Sequence, residues 1–197
     1  MTAREPHAVD VAGLPVSYPT HCHDPAFWEA LGRAVATFGF LEEILGKAIF
    51  AFTATRPYSN DAEAEEAYAA WLPQLERALT NPLGNLIDVY GKVVREHPGA
   101  LVADFDDLLV DLRAASDIRN VLCHGSWRAP DANGASVPLF VTRRKEVFDT
   151  PIDLRFLLQV QKATVELTCA VVNTVTVMGW RFPGSSSPGA PIDLSGS

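Results

Sequence analysis

Between Asp24 and Arg56 the apolar residues Leu31, Ala34, Phe38, Leu41, Leu45, Ala48 and Phe52 recur at alternating steps of three and four. That spacing keeps one continuous stripe along an α-helix and cannot be satisfied by a strand, whose side chains alternate with a period of two. Asp24 followed by Pro25 reads as an N-cap with proline at the first helical position, and Arg56-Pro57 closes the pattern. A helix this long with one unbroken apolar stripe must bury it against other elements, so the rest of the chain has to supply them. The same helix carries Gly32, Gly39 and Gly46, seven residues apart. Glycine costs about 1 kcal/mol relative to alanine inside a helix. Close approach of another helix, within the subunit or across a dimer, is the physical reason expected for the three. The alternative is that they are tolerated on the solvent side.

Further helical patterns follow. Asp61 to Thr80 places Tyr68, Trp71, Leu72, Leu75 and Leu79 on one side, with Pro73 expected to kink or split the helix. Leu86 to Glu96 forms a shorter third helix that stops at His97-Pro98-Gly99. In the fourth, Leu101, Phe105, Leu108, Leu112 and Ala115 step by four and three, and Leu122 continues the pattern. After Gly125 the period changes: Val137 to Val141, a charged turn, then Val147-Phe148 reads as a short hairpin. Thr150-Pro151-Ile152-Asp153 reads as the cap and first turn of a long final helix running to about Trp180. The expected architecture is an all-α bundle of four to five helices with a small β-hairpin inserted before the last helix. Its domain spans residues 24–182, behind a flexible N-terminal arm of residues 1–23. Residues 183–197, rich in Pro, Gly and Ser, make a disordered tail that cannot build a core.

At 197 residues the chain has room for one well-buried domain. Acidic residues outnumber basic ones, 24 Asp and Glu against 16 Lys and Arg, for a net charge of −8. This argues against a protein that coats nucleic acid, which needs clustered cations, but leaves room for one that reads a small RNA through a local basic patch. Cys22, Cys123 and Cys169 show no paired spacing and are expected to be reduced thiols. The N-terminal residues have no apolar core resembling a signal peptide. The most apolar run, Val165 to Trp180, includes Glu166, Asn173 and several threonines, making it a poor membrane span. A cytoplasmic protein with no membrane partner is the expectation.

The end of the fourth helix carries the chemistry. Arg119, Asn120 and His124 lie just before Gly125, a helix-stopping residue. A histidine moves protons, a guanidinium holds phosphate charge, and an amide orients either, so the trio suits phosphodiester chemistry without a metal. Continuing the helical stepping beyond Ala115 reaches position 119, where a core residue is expected and an arginine stands instead. A guanidinium there needs a phosphate, a solvent cleft or a carboxylate such as Glu42 or Glu43. Arg119 and His124 are roughly 140° apart on an ideal helix, whereas Asp117, Asn120 and His124 share a side. A site using both Arg119 and His124 therefore calls for a loosened helix end or a second subunit.

Arg-Asn-x-x-x-His at the end of a late helix in an all-α chain resembles the signature of the HEPN superfamily of ribonucleases. Arg119, Asn120 and His124 match it, and the Gly125-Ser126-Trp127 continuation and the hairpin before the last helix are similar to bacterial members. The likeness spans about residues 25–182. It implies metal-independent RNA cleavage by attack of the ribose 2′-OH on the adjacent phosphate, leaving a 2′,3′-cyclic phosphate. By the same resemblance His124 would be general base or acid, Arg119 would stabilise the phosphorane, and Asn120 would position either. It further implies a homodimer with a composite active site. Many members are toxins or antiphage effectors, which makes a nucleotidyltransferase-type antitoxin a candidate partner; others keep the fold without cleaving RNA.

Arg128, just past the motif, and the basic run Arg143-Arg144-Lys145 are candidate RNA-phosphate contacts, although a hairpin tip is commonly just solvated. His21-Cys22-His23-Asp24 resembles a metal cluster, but consecutive residues of an extended arm point in alternating directions. Asp24 is better read as the helix cap. The sequence has no Walker loop, GxGxxG, GxSxG or HExxH, and no cofactor or metal is expected. The competing expectation is a non-catalytic bundle of the same kind that binds a nucleotide, RNA or a protein.

Overall fold

The computed structural model describes residues 7–55, 60–63, 65–66, 69, 73, 82–100, 102–142 and 145–186. The Asp24 carboxylate accepts a hydrogen bond from the Ala26 amide at 2.8 Å, and helix α1 runs Pro25–Ala54 from that cap. All seven residues of its expected stripe are buried, each at 8% exposure or less. Phe27, Ala30, Ile44, Ile49 and Ala51 widen that stripe into a broad apolar surface. Helix α2 is Leu83–Glu96, α3 is Phe105–His124 and α4 is Leu154–Thr176. The described residues are thus helical in the main. α1 packs most extensively on α4 and next on α2, while α3 lies against α1, α2 and α4. No described helix is long and apolar enough to cross a membrane.

Of the second expected helix, residues 61–63, 65–66, 69 and 73 are helical, and Tyr68, Trp71, Leu72, Leu75 and Leu79 lie outside the described residues. Leu101, residues 1–6 and residues 187–197 also lie outside them. Residues 7–22 are exposed throughout and include two single turns, Val11–Gly13 and Thr20–Cys22.

Several details depart from the sequence reading: the third expected helix begins at Leu83 rather than Leu86, and the last ends at Thr176 rather than near Trp180. Gly32 and Gly39 are exposed, and among the described residues a Cβ at either would meet nothing within 4 Å, whereas Gly46 is buried. The last helix begins three residues later than expected, with Asp153 as its cap, accepting from the Phe156 amide at 2.7 Å. The cause is Ile152, fully buried and held extended by reciprocal backbone bonds with Ser136 at 2.9 Å. Finally, among the described residues the segment expected to be a hairpin makes isolated antiparallel bridges, Ser126 with Leu139, Ser136 with Ile152 and Val141 with Val147, rather than extended strands.

Helix α4 presents buried threonines to the core. Thr164 and Thr168 donate to the carbonyls of Val160 and Thr164, four residues back, so neither of these two hydroxyls is stranded in the apolar interior. Thr174 donates to the Val171 carbonyl at 2.7 Å, which uses its single proton. Tyr90, fully buried on α2, has its hydroxyl 2.7 Å from Thr174 Oγ1 and must therefore be the donor in that contact. Burial holds the Tyr90 phenol well above its ordinary pKa and keeps it protonated.

This bond ties α2 to α4 through the core. Tyr90→Phe should lower the unfolding free energy by about 1 kcal/mol, the usual worth of one such bond, without changing the fold. Urea denaturation followed by circular dichroism measures it; an unchanged midpoint would mean that the bond contributes nothing.

Candidate functional site

The core stripe of α3 runs Phe105, Leu109, Leu112 and Ser116, one position later than the sequence stepping through Leu108 and Ala115. Either register reaches Arg119 next, which explains why an arginine sits at the seam with α1. Its guanidinium Nη2 lies 3.3 Å from Glu42 Oε1 on α1, and the two side chains are 23% and 27% exposed. The pair is an ion pair by distance but is not aligned as a hydrogen bond. Glu42 Oε1 is otherwise buried without a hydrogen-bond partner. Of the two carboxylates that the sequence offers to Arg119, Glu42 is the one facing it; Glu43 is taken by Lys47 at 2.6 Å.

Arg119 Nη1 also donates to Asn120 Oδ1 at 3.5 Å, so these two side chains are brought together. Asn120 is half-buried. His124, on the last turn of α3, is exposed and makes no hydrogen bond or ion pair to a described residue. Arginine thus faces inward toward α1 and histidine outward, as the angular separation on a helix demands. Arg128 is exposed, and Lys145 is exposed in the left-handed backbone region at φ 65°. Arg143 and Arg144 lie outside the described residues.

The helix end is firmly held. The Gly125 amide closes the last turn on the Val121 carbonyl at 2.8 Å. Ser126 and Leu139 then exchange backbone hydrogen bonds at 3.0 and 2.8 Å. Gly125 itself has extended backbone (φ −68°, ψ 138°), so the left-handed freedom of glycine is not what this position uses. A Cβ there would stand 2.6 Å from the Val121 carbonyl oxygen and 2.8 Å from Pro138 Cβ. The residue is glycine because the chain leaving the helix passes too close to its neighbours for any side chain.

Next along the chain, Trp127 joins a cluster that sequence reading missed. Its ring lies 5.1 Å from Phe27, 6.3 Å from Trp28 and 6.3 Å from His23, all edge-on. His23 stacks on Phe27 at 4.4 Å and is buried, while its neighbour His21 stacks instead on Tyr18 and contacts Cys22 Sγ at 3.4 Å. The His-Cys-His run therefore diverges rather than converging on one point. Trp28 anchors the cluster by donating to the Thr20 carbonyl at 2.8 Å. Clustered aromatics separated by a hundred residues leave no spacing signal, and the one hint was the density of His23, Phe27 and Trp28 around the first cap.

Chemically, the end of α3 offers a solvent-facing imidazole, an amide touching a guanidinium, and a carboxylate balancing that guanidinium. The arrangement can hold an anion only if phosphate takes over from Glu42 at Arg119.

Two stability measurements follow. Gly125→Ala should cost about 1–3 kcal/mol, because both obstructing groups are fixed; a wild-type denaturation midpoint would show that the close approach is not constraining. Burial lowers the pKa of His23, so the folded state prefers the neutral ring. Its contribution is intact above the ordinary imidazole value of about 6.5 and is lost as pH falls through the lower folded value. Melting temperature should thus decline with acidification below about pH 6.5, and His23→Phe should reduce that decline. Equal pH slopes in both proteins would remove His23 as the cause.

Comparison of the chain with protein-family models, with curated proteins and with solved structures gives no significant match, and the functional reading rests on the residues themselves.

Proposed function

We propose that this protein is a metal-independent endoribonuclease of the HEPN type, acting in the cytoplasm as a homodimer. The observation that carries the reading is the contact of Arg119 with Asn120, one turn before an exposed, unengaged His124 at the same helix end. In the reaction the ribose 2′-oxygen forms a bond to phosphorus and the bond from phosphorus to the 5′-oxygen breaks. The 2′-OH proton goes to a base, and an acid protonates the departing 5′-oxygen. Arg119 offsets the charge that gathers on the phosphoryl oxygens, and Asn120 fixes the guanidinium plane. One chain brings a single histidine to this helix end while two protons must move, so a second copy's His124 completes the acid–base pair. The exposed Gly32 and Gly39 give a face on which another helix can come close. In this reading Arg128, Arg143, Arg144 and Lys145 supply phosphate contacts. A toxin or antiphage role, with a nucleotidyltransferase-type antitoxin, would fit such an activity.

The second reading is a non-catalytic binding module, and the ion pair of Arg119 with Glu42 favours it: a guanidinium that already has its counter-charge serves to hold α3 on α1. Cleavage of total RNA in EDTA distinguishes the two. The nuclease reading expects fragments ending in 2′,3′-cyclic phosphate, and His124→Ala and Arg119→Ala should each slow cleavage by at least about 100-fold. Melting curves check that Arg119→Ala remains folded. Intact RNA with the wild-type protein, or variants that cleave equally well, would sink the nuclease; activity abolished by EDTA would sink the metal-free route.

A further inference from the structure

Away from the motif, α3 and α4 do not close on one another. Between them runs a groove of about 600 Å³. The gap has a plain cause: Ala114, Ala115, Ala163 and Ala170 face it, and four side chains that end at Cβ cannot fill the space between two helices. Its floor is apolar, made by Phe38 of α1 with Leu108, Ile118, Val160 and Leu167. The polar residues on its edge are nearly all of one sign. Asp104, Asp107, Asp111 and Glu166 line it, and no lysine or arginine does so among the described residues. Of the four, only Glu166 has an ion-pair partner among the described residues, an exposed Lys162 at 3.7 Å.

From Asp107 to Ile118 the groove extends along about 16 Å of helix, or three turns. An apolar trough of that length walled by two helices has the shape that takes the apolar face of a third. Its charge decides among occupants. A second copy laid across this face by a two-fold axis would set the carboxylates of one chain against those of the other, which is unfavourable. The segment 61–80 of this chain carries five acidic residues, Asp61, Glu63, Glu65, Glu66 and Glu76, against the single Arg77, so its charge is wrong too.

We infer that the α3–α4 groove is a docking site for an amphipathic helix of another protein, about three turns long, with lysine or arginine flanking its apolar face. Leucine-sized side chains of that helix fill the space above the four alanines, and its cations meet the Asp104, Asp107, Asp111 and Glu166 edge. The acidic edge contributes selectivity and association rate, and the apolar floor contributes most of the affinity. This site is independent of the nuclease reading and stands or falls without it.

The test uses the full chain and a fluorescent synthetic helix of three to four turns with leucine on one face and lysine on the other. Its counterpart carries glutamate in place of lysine. Fluorescence anisotropy should show saturable one-to-one binding of the lysine peptide, at least tenfold tighter than the glutamate peptide. Asp107→Lys with Asp111→Lys should weaken it at least tenfold. Ala163→Trp, which fills the groove without changing charge, should do the same. The control Glu146→Lys with Asp149→Lys makes the same charge change on exposed residues elsewhere and should leave binding within twofold. Circular dichroism melts confirm that each variant is folded. Equal weakening by the control pair would reduce the effect to bulk charge and overturn the proposal, as would binding that survives Ala163→Trp. Light scattering on the free protein adds a last outcome: a dimer that Ala163→Trp dissociates would make the groove a self-interface and overturn the proposal too.

Discussion

The burial of α1 governs the rest of the molecule. Its stripe from Leu31 to Phe52 is buried along its whole length, chiefly by α4, and the neighbouring α2 and α3 take positions set by that pair. Because α1 must bury a broad surface, every residue that faces it inherits a low-polarity setting. Glu42 is a half-buried carboxylate on the helix itself, and it sits where Arg119 of α3 can balance it. The ion pair is thus imposed from both directions: α1 cannot leave a half-buried carboxylate alone, and α3 cannot leave a half-buried guanidinium alone.

That mutual constraint shapes the functional question. In a nuclease, Glu42 would keep Arg119 extended and oriented until phosphate competes for it; in a binding module, the same contact would be the end of the matter. The two readings share one geometry and differ in whether the guanidinium exchanges partners. His124, the basic residue of the last turn of the same helix, faces solvent and makes no hydrogen bond or ion pair to a described residue, whereas Arg119 is paired with Glu42.

How much of this was legible in the sequence depends on whether local periodicity or distant contact decided it. The cap at Asp24 and the stripe of α1 were readable because both are local. On α3 the expected Phe105, Leu112 and Leu122 are buried, but Leu109 and Ser116 turn inward more fully than Leu108 and Ala115 because these neighbours are nearly equivalent to periodicity; only the adjoining helices decide between them. The start of α4 was misplaced because Thr150-Pro151 carries a good capping signal that the distant pairing of Ile152 with Ser136 overrides. Gly125 was rightly read as ending a helix, but the reason was a close approach to Pro138 rather than a left-handed turn. The candidate site was readable as residue types, and Glu42 as one of two possible partners. The Trp127 cluster and the α3–α4 groove were not, since both arise from elements far apart in the chain.

The aromatic cluster has a consequence for the order in which the molecule is completed. Trp127 secures the exit from α3 by packing on residues next to the first helix cap, so the end that carries His124 is pinned by the earliest-synthesised part of the domain. The pairing of Ser136 with Ile152 must wait for chain made still later. During synthesis α3 can be helical well before its last turn has a fixed direction, because these contacts span long stretches of chain and close slowly. The His124 end of the helix is among the last places to acquire its final geometry, and a nascent chain carries these residues before their direction is fixed.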